Sequence, residues 1–373
     1  MQREQNAERS ETEKRQDLSG QIRVGKLSPG EHGKTRALYE EVFSEDSRRF
    51  VDYYYWSRAS ENEIYAARNA DGIQGMLHLN PVAVSWNGAV QKISYLVAVA
   101  TRKEYRHQGI MSRLLSCSMQ EMYQRLEPFA FLMPASEAIY MPFGFRRAWH
   151  WIWEEDLVKD FFQTPFGDED TESPGKDQES GSWSGGHVIR AASSDESCGN
   201  GQDKDSFSAW LPAAECSDKE LERLAYRVNE TLKGKRRMFS WRSVCYYRDL
   251  QRQQEASDGE LRIIFDHGPR YAVCTVREQF PPMMARIIHL ERFIRQIRSR
   301  ERRKVFWQIR DAMLPGNSGW YQVTLGPEGG TIRRLESRRS ASEAEWITLD
   351  IADIPAWLGA DNPFADAAVC EVV

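Results

Sequence analysis

One segment of this chain, residues 95–113 with the sequence YLVAVATRKEYRHQGIMSR, combines the features of a strand, a turn and the start of a helix. Its β-branched beginning favours a strand, and the apolar residues that follow Gly109 recur at helical spacing. The first backbone N–H groups of a helix have no partner inside the helix, and the helix dipole attracts an anion to them. Gly109 has no Cβ to hold a phosphate away from the backbone, and Arg106 and Arg113 add positive charge. The segment therefore predicts a phosphate-binding turn.

This turn differs from two common nucleotide-binding loops, because the chain has no G-x-G-x-x-G and no G-K-[S/T] at the spacing of a P-loop. It resembles motif A, Q/R-x-x-G-x-G/A, of the GNAT superfamily of acetyl-CoA-dependent N-acetyltransferases. The resemblance implies that the pyrophosphate of CoA binds at Arg106, His107, Gln108, Gly109, Ile110 and Met111. Met111 departs from the motif, which has a small residue there. The alternative is an ordinary strand–helix junction with a solvated basic turn.

A second feature is Tyr140, which stands in the segment IYMPFGF. GNAT proteins are similar here, with a tyrosine a few residues before Gly-Phe, and the resemblance implies that Tyr140 is the general acid for the leaving thiolate of CoA. A tyrosine with a pKa near 10 keeps its proton at neutral pH, whereas the thiol it protonates has a pKa near 8.5. The alternative is that Tyr140 packs against Phe143 and Phe145.

The same resemblance assigns a role to the strand before the turn. In GNAT proteins, backbone N–H groups of a splayed strand orient the acetyl group and stabilise the oxyanion that forms from its carbonyl. The matching positions are Val99 and Thr101, with Val97 beside them. Plain strand pairing is the alternative.

Length, charge and cysteine usage place the chain among ordinary globular proteins. Its 373 residues correspond to two or three domains, and a net charge of −5 argues against general nucleic-acid binding. We find no apolar run long enough for a membrane span and no signal-peptide core. The six cysteines form no C-x-x-C pair and there is no H-E-x-x-H, so we expect a cytoplasmic protein without a metal site.

The order of motifs resembles the Eis-type acetyltransferases, with MLHLNP before motif A, YRHQGIM within it and AIYMPFGF after it. The segments MMARIIHLERFI and WITLDIADIPAWLGAD are similar to the C-terminal domain of that group. The resemblance implies an α/β fold class, with tandem GNAT folds and mixed sheets followed by a sterol-carrier-like α+β domain. The expected divisions are a frayed start (1–21), a GNAT domain (22–162), a Gly/Ser-rich acidic linker (163–206), a second, degenerate GNAT-like domain (207–283) and the sterol-carrier-like domain (284–373).

In Eis-type proteins the chain ends inside the active site, where the terminal carboxylate is the general base. Carried over, that group is the carboxylate of Val373. Desolvation in a closed cleft would raise the pKa of such a carboxylate from its usual value near 3.5. The small apolar residues before Val373 differ from the aromatic ends of relatives, so Glu371 and Glu137 remain alternative bases.

Several local patterns give further expectations. The alternating WHWIW around Trp151 predicts a strand whose tryptophans pack in a core, FSWRSVCYYRDL continues a helical pattern, and Phe293–Arg302 predicts a basic helix. The arginines of residues 292–304 suit a solvated helix face or an oligomer contact better than RNA. For the aromatic run Tyr53–Trp56, a substrate cleft and packing on the sheet remain equally open.

These expectations combine into one reaction: direct acetyl transfer from acetyl-CoA to a primary amine in a ternary complex. The resemblance implies aminoglycosides, polyamines or lysine side chains as acceptors and a homo-oligomer, a hexamer in the relatives, with no nucleic acid, membrane or metal involved. The competing interpretation is a module that senses acetyl-CoA or holds an apolar ligand without turnover.

Overall fold

The structure is a computed structural model that describes residues 22–158, 187–188, 209–266, 268–341 and 344–369. The predicted frayed start lies outside the described residues. Of the predicted linker 163–206, the structure describes residues 187–188, which form a short strand.

The described residues form a mixed α/β fold with several sheets, the class that the sequence predicts. The strands are β1 Arg23–Lys26, β2 Glu63–Asn69, β3 Gly72–Trp86, β4 Ala89–Thr101, β5 Phe129–Leu132, β6 Arg146–Trp149, β7 His187–Val188, β8 Ala209–Pro212, β9 Met238–Ser240, β10 Leu261–Phe265, β11 Pro269–Cys274, β12 Met283–Ile287, β13 Arg303–Arg310, β14 Gly319–Leu325, β15 Thr331–Leu335, β16 Trp346–Asp350 and β17 Ala367–Ala368. The α-helices are α1 Arg36–Val42, α2 Arg48–Tyr53, α3 Ala59–Glu61, α4 Ile110–Gln124, α5 Glu137–Tyr140, α6 Glu154–Val158, α7 Asp218–Lys233, α8 Val244–Ala256, α9 Leu290–Arg295 and α10 Ile354–Leu358. A π-helical turn spans Tyr54–Arg58, and 3-10 turns span Pro29–Thr35, Lys103–Tyr105, Met141–Phe143, Pro315–Asn317, Arg338–Ala341, Ile351–Asp353, Gly359–Asp361 and Pro363–Asp366.

The largest sheet has the order β1-β2-β3-β4-β5-β12-β6, with β9 paired to β3 and β17 paired to β9. β3 and β4 form a long hairpin whose turn, Asn87-Gly88, has positive φ at both residues, as the sequence pattern predicts. β4 and β5 run parallel, because the chain returns between them through α4. The two strands that carry the predicted site are therefore central members of one sheet.

Helix α4 covers one face of this sheet with the apolar stripe that its sequence predicts. Ile110, Leu114, Leu115, Met119 and Met122 are all buried against the sheet. Burial of one such side chain contributes about 1.5–3 kcal/mol. The stripe therefore fixes the start of the helix, and with it the turn at Gly109, relative to the sheet.

The opposite face of the sheet packs against the C-terminal part of the chain. Trp86 and Phe129 contact Phe293 and Phe364 through ring pairs whose centroids lie 5.2–5.6 Å apart. Trp307 belongs to the same buried cluster. It lies on a separate four-stranded sheet with the order β15-β14-β13-β16. The C-terminal sheet and the first sheet thus share one hydrophobic core.

The middle of the chain forms a further four-stranded sheet, β11-β10-β8-β7, packed on α7 and α8. Helix α7 begins where the sequence predicts, because Ser217 and Glu220 form a reciprocal capping box. The middle of the chain also contributes to the first sheet, since β9 pairs with the far half of β3.

Three local predictions are wrong. The predicted WHWIW strand ends at Trp149, after which the chain leaves β12 and packs Trp151 and Trp153 on the central cluster. The predicted helix in FSWRSVCYYRDL starts at Val244, because the residues before it pair with β3. The predicted basic helix is α9, which ends at Arg295. In the second of these cases, strand pairing overrides the local pattern.

Strand β12 is inserted between β5 and β6, although it lies about 150 residues further along the chain. The large sheet therefore takes strands from all three parts of the chain. None of the helices in the described ranges is long and apolar enough to cross a membrane.

A buried carboxylate joins the first and middle parts. Glu154 accepts hydrogen bonds from Arg242 Nε at 3.2 Å, from the Tyr247 hydroxyl at 3.0 Å and from the Ala272 backbone N–H at 2.9 Å. Both members of the Glu154–Arg242 ion pair are buried. Glu154 therefore links helix α6 to the segment after β9 through Arg242 and to the middle sheet through Ala272.

We expect Glu154→Gln to lower the free energy of unfolding by about 3–5 kcal/mol, because the buried Arg242 would lose the charge of Glu154. Urea denaturation followed by circular dichroism measures this loss. The matched control is Glu155→Gln, which breaks the partly exposed pair with Arg277 and should cost less than about 1 kcal/mol. Equal losses for the two variants would contradict the assignment.

Candidate functional site

A β-bulge in β4 opens the centre of the first sheet. Met76 pairs with Ala100 and His78 pairs with Val97, so two residues of β4 stand opposite one residue of β3. Ala98, within the bulge, has a φ of 49°. The pairing of β4 with β5 ends at Leu96 and Leu132. Beyond that point β4 has no strand partner on its β5 side among the described residues, so the sheet is open there and leaves backbone groups available to a ligand.

The bulge places Val97 and Val99 on different clusters. Val97 packs partly on the core shared with the C-terminal sheet, whereas Val99 packs partly on the core beneath α4. Thr101 ends the strand and is still paired with Gly75 of β3. The three strand residues predicted to orient an acetyl group therefore lie along the opened edge.

The turn after β4 gathers backbone N–H groups. His107 and Gly109 have positive φ values of 63° and 74°, and α4 starts at the next residue. The first helical bond is donated by Arg113 to the Gly109 carbonyl. Within the described part of the chain, the N–H groups of residues 107–112 donate to no backbone or side-chain acceptor. Successive N–H groups in such a turn form a concave anion site.

Side chains brace this turn from beneath. Arg106 Nε donates to the Thr101 carbonyl at 3.0 Å, and Gln108 Nε2 donates to the Glu104 carbonyl at 2.9 Å. A Cβ at Gly109 would meet nothing within 4 Å, so this glycine is needed for its left-handed backbone and leaves the approach open. Met111, the departure from the motif, packs partly on the core beneath α4.

Tyr140 lies at the same edge of the sheet as this turn. It ends α5, which follows β5, and the carboxyl ends of the parallel strands β4 and β5 meet at one edge. Its ring is buried and makes an edge contact with Phe145 at 6.0 Å. Burial raises the pKa of Tyr140 to about 12.

The hydroxyl of Tyr140 is available to a ligand. It has no hydrogen-bond partner in the described ranges, and it is absent from the buried polar atoms that lack one, so it reaches accessible space. The ring therefore packs against Phe145, as one of the two interpretations predicts, while the hydroxyl remains accessible to a ligand.

A cavity of about 160 Å³ lies between the first and middle parts of the chain. Its wall includes the aromatic residues Tyr53, Trp151, Trp153, Trp241 and Tyr246 and the carboxylates Glu61, Glu154 and Asp249. The sequence pattern predicts core packing for the tryptophans, and for Tyr53 it leaves both a substrate cleft and packing on the sheet open. The signal that it missed is the end of the strand at Trp149, which turns the next two tryptophans onto the cavity wall.

A buried chain of hydrogen bonds runs from Asp249 on the cavity wall to Asn80 of β3. Arg58 donates to Asp249 at 3.1 Å and to the Asn80 Oδ1 at 3.2 Å, and Asn80 pairs across the strands with Tyr95. Two residues before Asn80, His78 faces the same side of β3 and pairs with Val97. The chain of hydrogen bonds ends at Asn80, and the cavity meets β3 at Pro81 and Ala83.

His78 belongs to a separate buried group of hydrogen-bonded side chains, with Tyr54 and Asn62. Its Nδ1 lies 2.7 Å from the Tyr54 hydroxyl, which also accepts a hydrogen bond from Asn62. Its Nε2 is buried without a partner among the described residues. Burial, with the nearby charge of His32 as a smaller cause, lowers the pKa of His78 to about 3. His78 is therefore neutral at physiological pH.

Of the three candidate bases, the structure describes one, Glu137. Glu137 is held by Arg147 through contacts of 2.6 and 3.0 Å. Glu371 and Val373 lie outside the described residues. In the described ranges, no group of three or more His, Cys, Asp and Glu side chains could hold a metal ion.

Comparison with known proteins identifies the N-terminal part of the chain. Residues 23–148 match the family model described as an acetyltransferase (GNAT) domain. No curated protein matches the chain. Residues 23–148 therefore form an acetyltransferase domain of the GNAT class, and the protein is an enzyme.

Solved structures extend the likeness to nearly the whole fold. A probable N-acyltransferase from Enterococcus faecalis V583 has 14% identity and a TM-score of 0.59, over 89% of this chain and 88% of that one. A GCN5-related N-acetyltransferase from Kribbella flavida has 12% identity and a TM-score of 0.56, over 94% and 100%. Eis1 from Mycobacterium abscessus has 12% identity and a TM-score of 0.52, over 93% and 96%. At these identities the likeness concerns the fold.

We expect the stability of the protein to fall as pH decreases from about 6.5 towards 3, partly because of His78. Its pKa is lower in the folded than in the unfolded state, so the unfolded chain binds the extra proton and each pH unit costs about 1.4 kcal/mol. Urea denaturation of wild type and His78→Gln at several pH values measures this. Between about pH 4 and 6 the two curves should differ in slope by one proton, and above about pH 7 they should run parallel. Equal slopes between about pH 4 and 6 would refute the assignment.

Proposed function

We propose that this protein transfers an acetyl group from acetyl-CoA to a primary amine, by direct attack in a ternary complex. The observation that carries the proposal is the meeting of three features at one edge of the first sheet. These are the N–H groups of residues 107–112, the opened strand at Val97–Thr101 and the available hydroxyl of Tyr140.

The proposed CoA site uses the backbone more than side chains. The pyrophosphate would accept hydrogen bonds from the N–H groups around Gly109, at the positive end of α4. Arg106 is exposed beside this turn and adds charge. The thioester would lie along β4, where backbone groups of Val97, Val99 and Thr101 orient the acetyl group and stabilise the oxyanion that forms on attack.

Tyr140 is the proposed general acid. With its pKa raised to about 12, the phenol is fully protonated at neutral pH. A departing CoA thiolate can therefore take this proton as the C–S bond breaks, while the amine nitrogen forms the new amide bond. The buried ring holds the hydroxyl at the carboxyl end of β5, where the sheet is open.

The proposed acceptor site is the cavity between the first and middle parts of the chain. Its wall carries the carboxylates Glu61 and Asp249 and also the arginines Arg58 and Arg277. The rings of Trp153, Trp241 and Tyr246 already contact Arg277, Lys233 and Arg242, so the wall is made of rings that accept cations. Asp249 is shared with Arg58 and Arg252, whereas Glu61 has no ion-pair partner within the described residues. This combination suits a cationic amine such as an aminoglycoside, a polyamine or a lysine side chain.

The proposed base is the carboxylate of Val373, as the resemblance to Eis-type proteins implies, with Glu371 as the alternative. The direction of β17 supports this choice. It runs parallel to β9, whose chain continues into Trp241 on the cavity wall. The Trp149 indole holds the Val369 carbonyl at 2.9 Å at the end of this strand. Glu137 is less suitable, because Arg147 occupies it.

We further propose the finer architecture that the resemblance implies. The C-terminal sheet with α9 and α10 would be the sterol-carrier-like domain, and the protein would act in the cytoplasm as a homo-oligomer. Gel filtration with light scattering tests the last point directly.

Release of free thiol from acetyl-CoA, measured across aminoglycosides, polyamines and lysine peptides, tests the function. With an accepted amine, Tyr140→Phe should lower kcat about 100-fold and leave the KM for acetyl-CoA nearly unchanged, because the phosphate turn is intact. Gly109→Ala serves as the matched control, since it strains the turn and should raise that KM instead. Acetyl-CoA binding without amine-dependent release would favour the sensing module.

Residues appended after Val373 should lower kcat at least about tenfold, because they remove the terminal carboxylate that would take the amine proton. The dissociation constant of acetyl-CoA, measured by calorimetry, should stay the same. The same residues placed before Met1 provide the control. Unchanged turnover with the C-terminal extension would exclude Val373 as the base.

A further inference from the structure

The turn that follows Tyr140 is held by its own backbone bonds. Gly144 donates to the Met141 carbonyl at 3.0 Å, and Phe145 donates to the Tyr140 carbonyl at 3.4 Å. Gly144 has a φ of 83°, a left-handed conformation that glycine adopts without strain. These bonds leave the Phe143 carbonyl, at the centre of the turn, directed towards β12.

Arg286 of β12 binds that carbonyl. Its Nε donates to the Phe143 carbonyl at 2.7 Å, and its Nη1 donates to the Ile287 carbonyl at 2.7 Å. The guanidinium packs under the turn so closely that a Cβ at Gly144 would lie 3.1 Å from Arg286 Nε. A side chain about 145 residues away in sequence therefore holds the turn after Tyr140 in position relative to β12.

Asp311 orients the Arg286 guanidinium. Its Oδ1 accepts from Arg286 Nη2 at 2.6 Å and also from the backbone N–H groups of Met313 and Leu314, both at 3.0 Å. Its Oδ2 accepts from the Asn317 amide at 2.9 Å. Both members of the ion pair are 1% exposed. A carboxylate with four donors cannot move without breaking them, so the guanidinium is fixed in direction.

A buried ion pair of this kind is weak evidence of a purely stabilising role, because desolvation of the two charges offsets much of their attraction. An apolar pair would hold β12 in the sheet equally well. What an apolar residue cannot do is hold the Phe143 carbonyl, the Ile287 carbonyl and Asp311 from one planar group. The geometry of Arg286 is therefore specific to the turn.

We propose that Arg286, oriented by Asp311, is a positioning residue for Tyr140. It holds the turn after Tyr140 at the height where the phenol hydroxyl faces the opened edge of β4. This inference rests on the proposed function, in which Tyr140 is the general acid. It assigns to the C-terminal part of the chain a role in the chemistry of the N-terminal domain.

The test is a double-mutant cycle on the full chain, with thiol release from acetyl-CoA as the readout. Arg286→Lys keeps the charge beside Asp311 but replaces the planar fork by one ammonium that cannot reach all three partners. We expect kcat to fall about tenfold, as misplacement of a catalytic group does, with the KM for acetyl-CoA unchanged. In the Tyr140→Phe background the same substitution should change kcat less than about twofold.

The matched control is Arg242→Lys, which alters the buried arginine that pairs with Glu154. It touches no residue of the Tyr140 turn, so any loss should be the same factor in both backgrounds. Thermal denaturation establishes that each variant is folded. If Arg286→Lys does not fold, Gly144→Ala replaces it, because the added Cβ would push the turn away from Arg286.

The outcomes separate this inference from the proposed function. If Tyr140→Phe lowers kcat and the Arg286 effect disappears in that background, positioning is supported. If the Arg286 effect is the same factor in both backgrounds, the role is structural and the inference is overturned while the function stands. If Tyr140→Phe leaves kcat unchanged, both the general-acid role and the inference are overturned.

Discussion

The β-bulge at Ala98 is the constraint on which the rest of the site depends. One extra residue in β4 ends the pairing with β5 at Leu96 and separates two central strands of a sheet that is otherwise continuous. The edge that becomes available lies at the same end of the sheet as the turn at Gly109 and the hydroxyl of Tyr140. A regular ladder would satisfy these backbone groups and leave no room for a thioester. The cost of the irregularity is offset by two well-packed cores, one on each face of the sheet.

The sheet also connects parts of the chain that are far apart in sequence. β12 separates β5 from β6, β9 extends β3, and β17 pairs with β9, so strands from the middle and the end of the chain lie against the N-terminal domain. This connection places aromatic residues of the middle part beside β3, where Pro81 and Ala83 complete the cavity wall. It also places Arg286 under the turn that carries Tyr140. Separate folding units with flexible links would not hold these groups in fixed relation.

Short residue patterns were sufficient to predict several local elements of the fold. The Asn87-Gly88 hairpin, the apolar stripe of α4 and the Ser217 capping box act over a few residues, and the structure confirms each of them. The failures lie where a distant strand competes for the backbone. Phe239 leaves the predicted helix because it pairs with Ser85 of β3, about 150 residues away. The predicted tryptophan strand ends at Trp149, which pairs with Met283, the first residue of β12. Nor does a short pattern show that His78 is buried with only its Nδ1 bonded among the described residues.

The sequence by itself therefore determines the local features of this protein: a glycine at a strand–helix turn, a tyrosine before Gly-Phe and a helix with one apolar face. These features need few neighbours, because N–H groups at a helix start and a left-handed glycine have the same properties in any fold. The tertiary structure decided how the sheet opens, which aromatic residues line a cavity, and that Arg286 and Asp311 meet beneath Tyr140. Such contacts join segments more than a hundred residues apart, and their choice depends on the packing of the whole core, which no short window of sequence contains.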